Sequence, residues 1–384
     1  MNDSFIYLHN RFFSLLYEEP THILELIKIL VSSRNRKDFP LDRSNIISCP
    51  LHIKNVYPIP DVNENFSKSL TDVCNNEAKN IINEDKPINI FWSGGVDSTT
   101  AVISFLNECK DLSQLHITLT RQSINEYPMF YNKYIKQLNH SIVKNYIYKH
   151  FSLHDCNLVT GHPAGLLFGL WTRLNALLEQ LNIDGDPLTV PWQEIFNTDF
   201  PVLGTKKNDE FFVDRIPEFF KNAPFPIETI GDMQWWLCFT TKWQGEVLGP
   251  LRFEKELSEK TFTNYKPFYV TMDFQRWGLN NYCKNIRKSP MNTLYRHELK
   301  EVIYNFTKDE DYYWNKKKIN SGYPAFSDDP DLKSCRPSID AIDDKYNGFA
   351  IDDVKSSLNL KEELKERFMD IETDHSKWIL KTNS

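Results

Sequence analysis

The sequence predicts an α/β fold: a parallel, twisted sheet flanked by helices, followed by a mostly helical C-terminal half. Three observations predict it. The apolar run Ile88–Trp92 leads through a glycine-rich turn, Ser93 to Ser98, straight into helix-forming sequence. Strand-like and helix-like segments then alternate as far as Thr160, the pattern of βαβ units on a parallel sheet. The second half reads as helical, with aromatic-rich segments such as Met233–Leu248.

In chain order, the residues up to about 85 contain two helical patches, Phe12–Tyr17 and His22–Val31, and then a polar, proline-containing stretch from Ser32 to Glu64. A third helix is expected over Phe66–Ile82, where apolar and small residues recur at helical spacing. The loop Asn83–Pro87 leads into the strand Ile88–Trp92. After the glycine turn, a helix is expected over Thr99–Cys109. Leu115–Thr120 alternates apolar and polar residues and reads as the second strand. Tyr127–Asn139 reads as a helix with a tyrosine-rich face, Ile142–Tyr148 as either a strand or a short helix, and Asn157–Thr160 as a further short strand. Met233–Leu248, Phe268–Asn281 and Asn292–Phe306 read as helices, as does the charged tail after Leu360. Trp235, Trp236 and Trp243 are expected in the core rather than as a platform for a base. The expected organisation is a mainly helical front segment, 1–85, to which no chemistry attaches, and one domain over 86–384.

With 41% hydrophobic and 25% charged residues, the 384-residue chain has the composition of a folded protein. A net charge of −7 argues against a general nucleic-acid binder. The seven cysteines, among them Cys49, Cys74 and Cys283, form no Cys-x-x-Cys pair and fit reduced thiols. The start, Met1-Asn-Asp-Ser-Phe, has no basic region followed by a cleavable apolar core, and no apolar run is long enough to span a membrane. A cytoplasmic protein with no membrane partner is the expectation.

A strand that ends in a glycine turn and feeds a helix is a phosphate-binding device. The glycines let the backbone approach an anion, and the helix start offers free N–H groups at the positive end of its dipole. A Walker A loop would need a lysine that is absent here, and the Rossmann fingerprint Gly-x-Gly-x-x-Gly is absent as well. Ser93 and Ser98 can each donate a hydroxyl hydrogen bond to phosphate. Asp97 repels a polyphosphate unless a cation lies between them, and Mg²⁺, held by a carboxylate plus substrate phosphates, supplies that cation. Asp97 also suits a helix N-cap. Ligands of parallel sheets bind beyond the carboxyl ends of the strands. The turn after Trp92, the end near Thr120 and the loop after Thr160 are therefore expected to meet in one crevice.

Ser93-Gly94-Gly95-Val96-Asp97-Ser98 resembles the PP-loop of the ATP pyrophosphatase superfamily, whose members release pyrophosphate and adenylate a substrate. The resemblance implies the adenine nucleotide α-hydrolase-like fold, ATP as the nucleotide and Mg²⁺ on Asp97. It places Ser93 to Ser98 and Thr99 around the departing pyrophosphate, and Leu119 and Thr120 at the positions that meet adenine or ribose. His116 and Arg121 flank that strand end. A second stretch, Val159-Thr-Gly-His-Pro-Ala-Gly-Leu-Leu-Phe-Gly169, is similar to a loop of the asparagine synthetase-like domains, matching at Gly161, Leu167, Phe168 and Gly169. It adds Gly161 and His162 to the implied nucleotide site. The acidic pair of that family is replaced by Ala164-Gly165-Leu166. Tyr265–Phe268 and Leu294–Lys300 are similar to a later segment that carries a catalytic lysine. Arg296, Lys300 and Lys316, the first of the run Lys316-Lys-Lys318, are the candidates here for the cation that faces the developing oxyanion. The N-terminal nucleophile cysteine of glutamine-dependent relatives is missing, because position 2 is Asn.

The resemblance implies an AMP-forming ligase that adenylates a carboxylate or amide oxygen, releases pyrophosphate and passes the acyl group to a nitrogen nucleophile. Its partners would be a small-molecule carboxylate or amide and an amine or ammonia donor, with ammonia coming from solution or from a separate supplying protein. Two alternatives stand beside it. One is a PP-loop enzyme that adenylates a nucleobase or tRNA. The other is a nucleotide-binding protein on a scaffold that has lost catalysis.

Overall fold

A computed structural model describes residues 57–62, 65–143, 155–169, 181–198, 206–248, 263–282 and 296–316, together with a few isolated positions. The expected helices Phe12–Tyr17 and His22–Val31, the helical tail after Leu360, and Lys317 and Lys318 lie outside the described residues.

Five parallel strands form the central sheet: β1 (Ile88–Trp92), β2 (Leu115–Thr120), β3 (Asn139–Val143), β4 (Asn157–Thr160) and β5 (Tyr265–Pro267). Their order is β3-β2-β1-β4-β5. From β1 the chain runs to β2 and β3 on one side and then crosses back to β4 and β5 on the other, so the order reverses between β1 and β4, the point at which ligands of such sheets bind. Every residue of β1 and β4 is buried, as central strands covered on both faces must be. Ile90 pairs with Ile117 on one side and Val159 on the other. Two buried polar side chains meet across this centre, Thr118 Oγ1 donating to Asn89 Oδ1 at 2.9 Å. Three two-residue strands, Ser4–Phe5, Ile53–Lys54 and Ala350–Ile351, form a separate antiparallel sheet.

The helices, in chain order, are α1 (Leu70–Ile82), α2 (Val96–Glu108), α3 (Arg121–Glu126), α4 (Ala164–Phe168), α5 (Lys206–Phe220), α6 (Ile230–Thr241), α7 (Trp243–Leu248), α8 (Met272–Asn281), α9 (His297–Thr307) and α10 (Glu310–Asn315). Helix α1 begins at a capping box between Ser69 and Asp72, which satisfies its first amides reciprocally. Helix α2 packs between the sheet and helices α1 and α9. From Val96 to Phe105 only Asp97 escapes full burial. The hydroxyls this buries are bonded within the fold, Thr100 Oγ1 to the Val96 carbonyl at 3.1 Å and Ser104 Oγ to the Thr100 carbonyl at 2.9 Å.

Several expectations need correction. Helix α2 starts at Val96, not Thr99, because Gly95 is its N-cap (φ −77°, ψ 167°). Asp97 is therefore in the first helical turn and is not the cap. Tyr127–Asn139 is not one helix. Thr120 and Ser123 form a capping box that starts α3 earlier, and Pro128, which lacks an N–H, breaks the chain at Tyr127 (φ −146°, ψ 75°). A short turn Pro128–Phe130 and a wide π-turn Tyr131–Ile135 follow, and β3 begins at Asn139. The strand reading of the ambiguous Ile142–Tyr148 segment holds as far as Val143, beyond which the segment is outside the described residues. Helix α5 and the edge strand β5 went unread: α5 carries Pro217 in its interior, and β5 is three residues long with a proline at its end.

The C-terminal half is mostly helical among the described residues, with β5 as its contribution to the central sheet. Trp235, Trp236 and Trp243 are each at most 1% exposed, in agreement with the core reading. Trp235 Nε1 donates to the Leu167 carbonyl at 3.0 Å and Trp236 Nε1 to the Phe219 carbonyl at 2.7 Å, so both indoles bury their polar edge with a partner. Arg43 enters this half from the front segment. Its guanidinium donates to the Phe239 carbonyl at 2.7 Å and to Gln275 Oε1 at 2.8 Å. No helix among the described residues is long and apolar enough to cross a membrane.

Candidate functional site

The turn after β1 is built around two serines. Ser98 Oγ accepts from the Ser93 amide at 3.0 Å and lies 3.0 Å from Ser93 Oγ, while the Gly95 amide donates to Ser93 Oγ at 3.3 Å. The serines thus lace the loop closed across its own mouth. Gly94 sits at φ +77°, a region that L side chains rarely adopt. A Cβ there would also lie 2.3 Å from the Ser123 carbonyl oxygen and 2.6 Å from Glu126 Cβ. The loop is therefore pressed directly against α3.

No side chain caps the first turn of α2. The amides of Val96, Asp97 and Ser98 lie in the turn where a helix has no acceptors of its own, and water or an anion can complement them. Gly161, just beyond β4, closes the other side. A Cβ on it would lie 3.1 Å from the Ser98 amide nitrogen and 3.3 Å from Asp97 Cβ. This is a cradle that a side chain would fill. Thr99 is buried behind the loop, where its hydroxyl accepts from Trp92 Nε1 at 3.0 Å.

Three more residues of the sequence-based set, Arg296, Lys300 and Lys316, are placed by this part of the fold. The Arg296 guanidinium makes a direct ion pair with the Asp97 carboxylate, with side-chain exposures of 4% and 29%. Arg296 precedes α9 in the left-handed region (φ 55°, ψ 52°), which costs a non-glycine residue about 1 kcal/mol or more. Burial pushes the Arg296 pKa down to about 9. The carboxylate in contact opposes that shift, and a guanidinium so paired stays charged. The Lys316 ammonium contacts Glu126 Oε1 at 2.5 Å and the Glu126 carbonyl at 2.7 Å. Lys300 Nζ donates to the Lys316 carbonyl at 3.1 Å. Its pKa is lowered by burial and then by the charge of Lys316.

The structure separates other members of the set. Leu119 is fully buried in the sheet, and the Thr120 hydroxyl caps α3, accepting from the Ser123 amide at 3.2 Å. His116 lies along β2 with Nε2 2.9 Å from Ser141 Oγ, and Arg121 is exposed at the start of α3. The His162 carbonyl accepts from the Tyr269 amide at 3.1 Å, and the His162 side chain is half-buried beside Gly161. The stretch in place of an acidic pair is the start of α4, where Ala164 and Leu166 are both 1% exposed.

Sequence reasoning missed two participants. Glu126 is one, since nothing in its neighbourhood marks a buried acid. Tyr269 is the other: its hydroxyl donates to the Asp97 carbonyl at 2.8 Å and ties the end of β5 to the loop. No group of three or more His, Cys, Asp or Glu side chains suited to a metal occurs among the described residues. Asp97 is the one carboxylate placed on the loop by the sequence reading; it is 29% exposed and already paired with Arg296, so a cation held there would have to share it with the guanidinium. Comparisons with family models, with curated proteins and with solved structures return no match for this chain.

Proposed function

We propose that the chain is an ATP-dependent, AMP-forming ligase that adenylates a carboxylate or amide oxygen, releases pyrophosphate, and passes the activated group to a nitrogen nucleophile. The observation that carries this reading is the Ser93–Ser98 loop. It lies where the strand order reverses, with an uncapped helix start on one side and Gly161, where even a methyl would be crowded, close against it on the other.

In this reading the β- and γ-phosphates lie on the loop, with the amides of Val96 to Ser98 as donors. Asp97 is the residue that would hold Mg²⁺, whose charge would offset that of the polyphosphate. The substrate oxygen attacks the α-phosphorus and the pyrophosphate oxygen leaves, so the bond that forms and the bond that breaks share one phosphorus. Arg296 and Lys316 are already buried in place, each against a carboxylate, Asp97 and Glu126, and Lys300 is bonded to the Lys316 carbonyl. Such preorganised charge stabilises a developing anion more than solvent can. The nitrogen nucleophile then displaces AMP, with positioning as the main contribution of the protein. Product analysis by ³¹P NMR tests this. AMP and pyrophosphate from ATP, dependent on a carboxylate and an amine, support it, whereas ADP and phosphate refute it.

One observation favours a second reading, a nucleotide-binding protein without catalysis. Ala164 and Leu166, which stand where the resembled family has an acidic pair, pack into the core. ATP binding with no turnover for any carboxylate, amide or nucleobase would select it.

A further inference from the structure

Two ion pairs flank the loop, and they share a pattern. Both carboxylates belong to the β1–α2–β2–α3 unit: Asp97 at the start of α2 and Glu126 at the end of α3. Both cations belong to the α9–α10 hairpin: Arg296 immediately before α9 and Lys316 immediately after α10. The hairpin is thus pinned over the loop at its entry and at its exit. Asp97 faces the anion cradle, but Glu126 does not need to be near an anion at all. Its side chain is 1% exposed and its Cβ fills the space that a side chain on Gly94 would take. A buried carboxylate beside a site for polyphosphate opposes binding on Coulomb grounds alone, so its presence calls for another role.

That role is written in its contacts. One residue supplies the Lys316 ammonium with two acceptors, carboxylate and backbone carbonyl. The Tyr312 ring lies 5.7 Å from the same ammonium and stacks at 3.8 Å on Tyr127, the neighbour of Glu126. The Lys316 carbonyl in turn accepts from Lys300. We propose that Glu126 is a positioning residue of the phosphate site: it fixes Lys316, and through the Lys316 carbonyl Lys300, beside Gly94, so that the hairpin presents its cations to a polyphosphate. The inference rests on the reading of the Ser93–Ser98 loop as a phosphate site.

The test is a double-mutant cycle on the 384-residue chain with inorganic pyrophosphate as the probe, read by titration calorimetry beside urea denaturation. Glu126→Leu removes a charge of the same sign as the ligand, yet the proposal expects it to weaken pyrophosphate binding by roughly 10-fold or more, the scale of one lost charge-assisted contact. Lys316→Leu should weaken binding similarly, and the double variant should be no weaker than Lys316→Leu alone, because Glu126 acts only through that lysine. Replacing a buried ion pair by two apolar residues is often tolerated, so the double variant keeps the comparison with Lys316→Leu measurable if Glu126→Leu alone does not fold. Glu126→Asp, which retains the charge, should recover part of the affinity. Unchanged or tighter binding by Glu126→Leu, with only its stability reduced, would show a structural clamp and overturn the proposal. So would additive losses in the double variant. If the unsubstituted chain binds no pyrophosphate, the reading of the loop itself fails and takes this inference with it.

Discussion

Gly161→Ala separates binding from folding at the loop. Gly161 is not among the glycines held at positive φ, so alanine adds no backbone strain there. The new methyl would lie 3.1 Å from the Ser98 amide nitrogen and 3.3 Å from Asp97 Cβ, contacts that a shift of a few tenths of an ångström relieves. The cost to stability should be about 1 kcal/mol, the low end for an overpacked site. A phosphate oxygen bonded to that amide would stand about 2.9 Å from the nitrogen, and a methyl 3.1 Å from the same nitrogen would crowd it. Losing one hydrogen bond to a charged group costs about 1.5–3 kcal/mol, or roughly 10- to 150-fold in Kd. Titration of ATP and of pyrophosphate, with urea denaturation alongside, reads both quantities. Unchanged affinity for both ligands would refute the argument that Gly161 is small in order to admit an anion.

Other perturbations follow from the same geometry. Gly94→Ala should lose about 2–4 kcal/mol by denaturation, since it adds φ strain to a Cβ placed 2.3 Å from the Ser123 carbonyl oxygen. A cost within experimental error would show that α3 is not seated on the loop. Asp97→Ala should destabilise by about 2 kcal/mol, less than a fully buried pair because Asp97 is 29% exposed, and the double variant Asp97→Ala/Arg296→Met should regain stability without regaining ATP turnover. Recovery of turnover would remove Asp97 from the chemistry. Lys300→Met tests the buried amine. In the unfolded chain that amine keeps its proton up to about 10.5, and in the folded chain it loses it at lower pH. The folded state therefore binds fewer protons in that window, and stability gains with rising pH through it. The wild type should gain relative to Lys300→Met between neutral pH and pH 10.5, and parallel curves would contradict the burial of a charged Lys300.

The fold was legible in the sequence where local signals were strong. Ile88–Trp92, Leu115–Thr120 and Asn157–Thr160 are strands with the boundaries their patterns indicate, because a buried run or a clean alternation bounded by turn residues leaves little choice. Tyr127–Asn139 has a tyrosine-rich face at helical spacing, but Pro128 interrupts the helix that spacing suggests. The edge strand Tyr265–Pro267 has no pattern to read, since pairing with β4 alone makes it a strand. At the site, Ser93 to Ser98 and Gly161 were legible because backbone geometry demands glycine or small polar residues there. Arg296, Lys300 and Lys316 were legible as cations, but their assignment to separate partners was not. Ion pairs such as Arg296–Asp97 and Lys316–Glu126 join residues 199 and 190 positions apart, which no local pattern encodes. Glu126 was invisible for the same reason.

ATP–pyrophosphate exchange tests the central claim most directly. The chain is incubated with ATP, magnesium, labelled pyrophosphate and a panel of amino acids, other carboxylates, amides and nucleobases. The account predicts that a carboxylate or amide drives label into ATP, and that Asp97→Ala abolishes the incorporation. Measurable ATP binding with no exchange for any member of the panel, or exchange that survives Asp97→Ala, would contradict it.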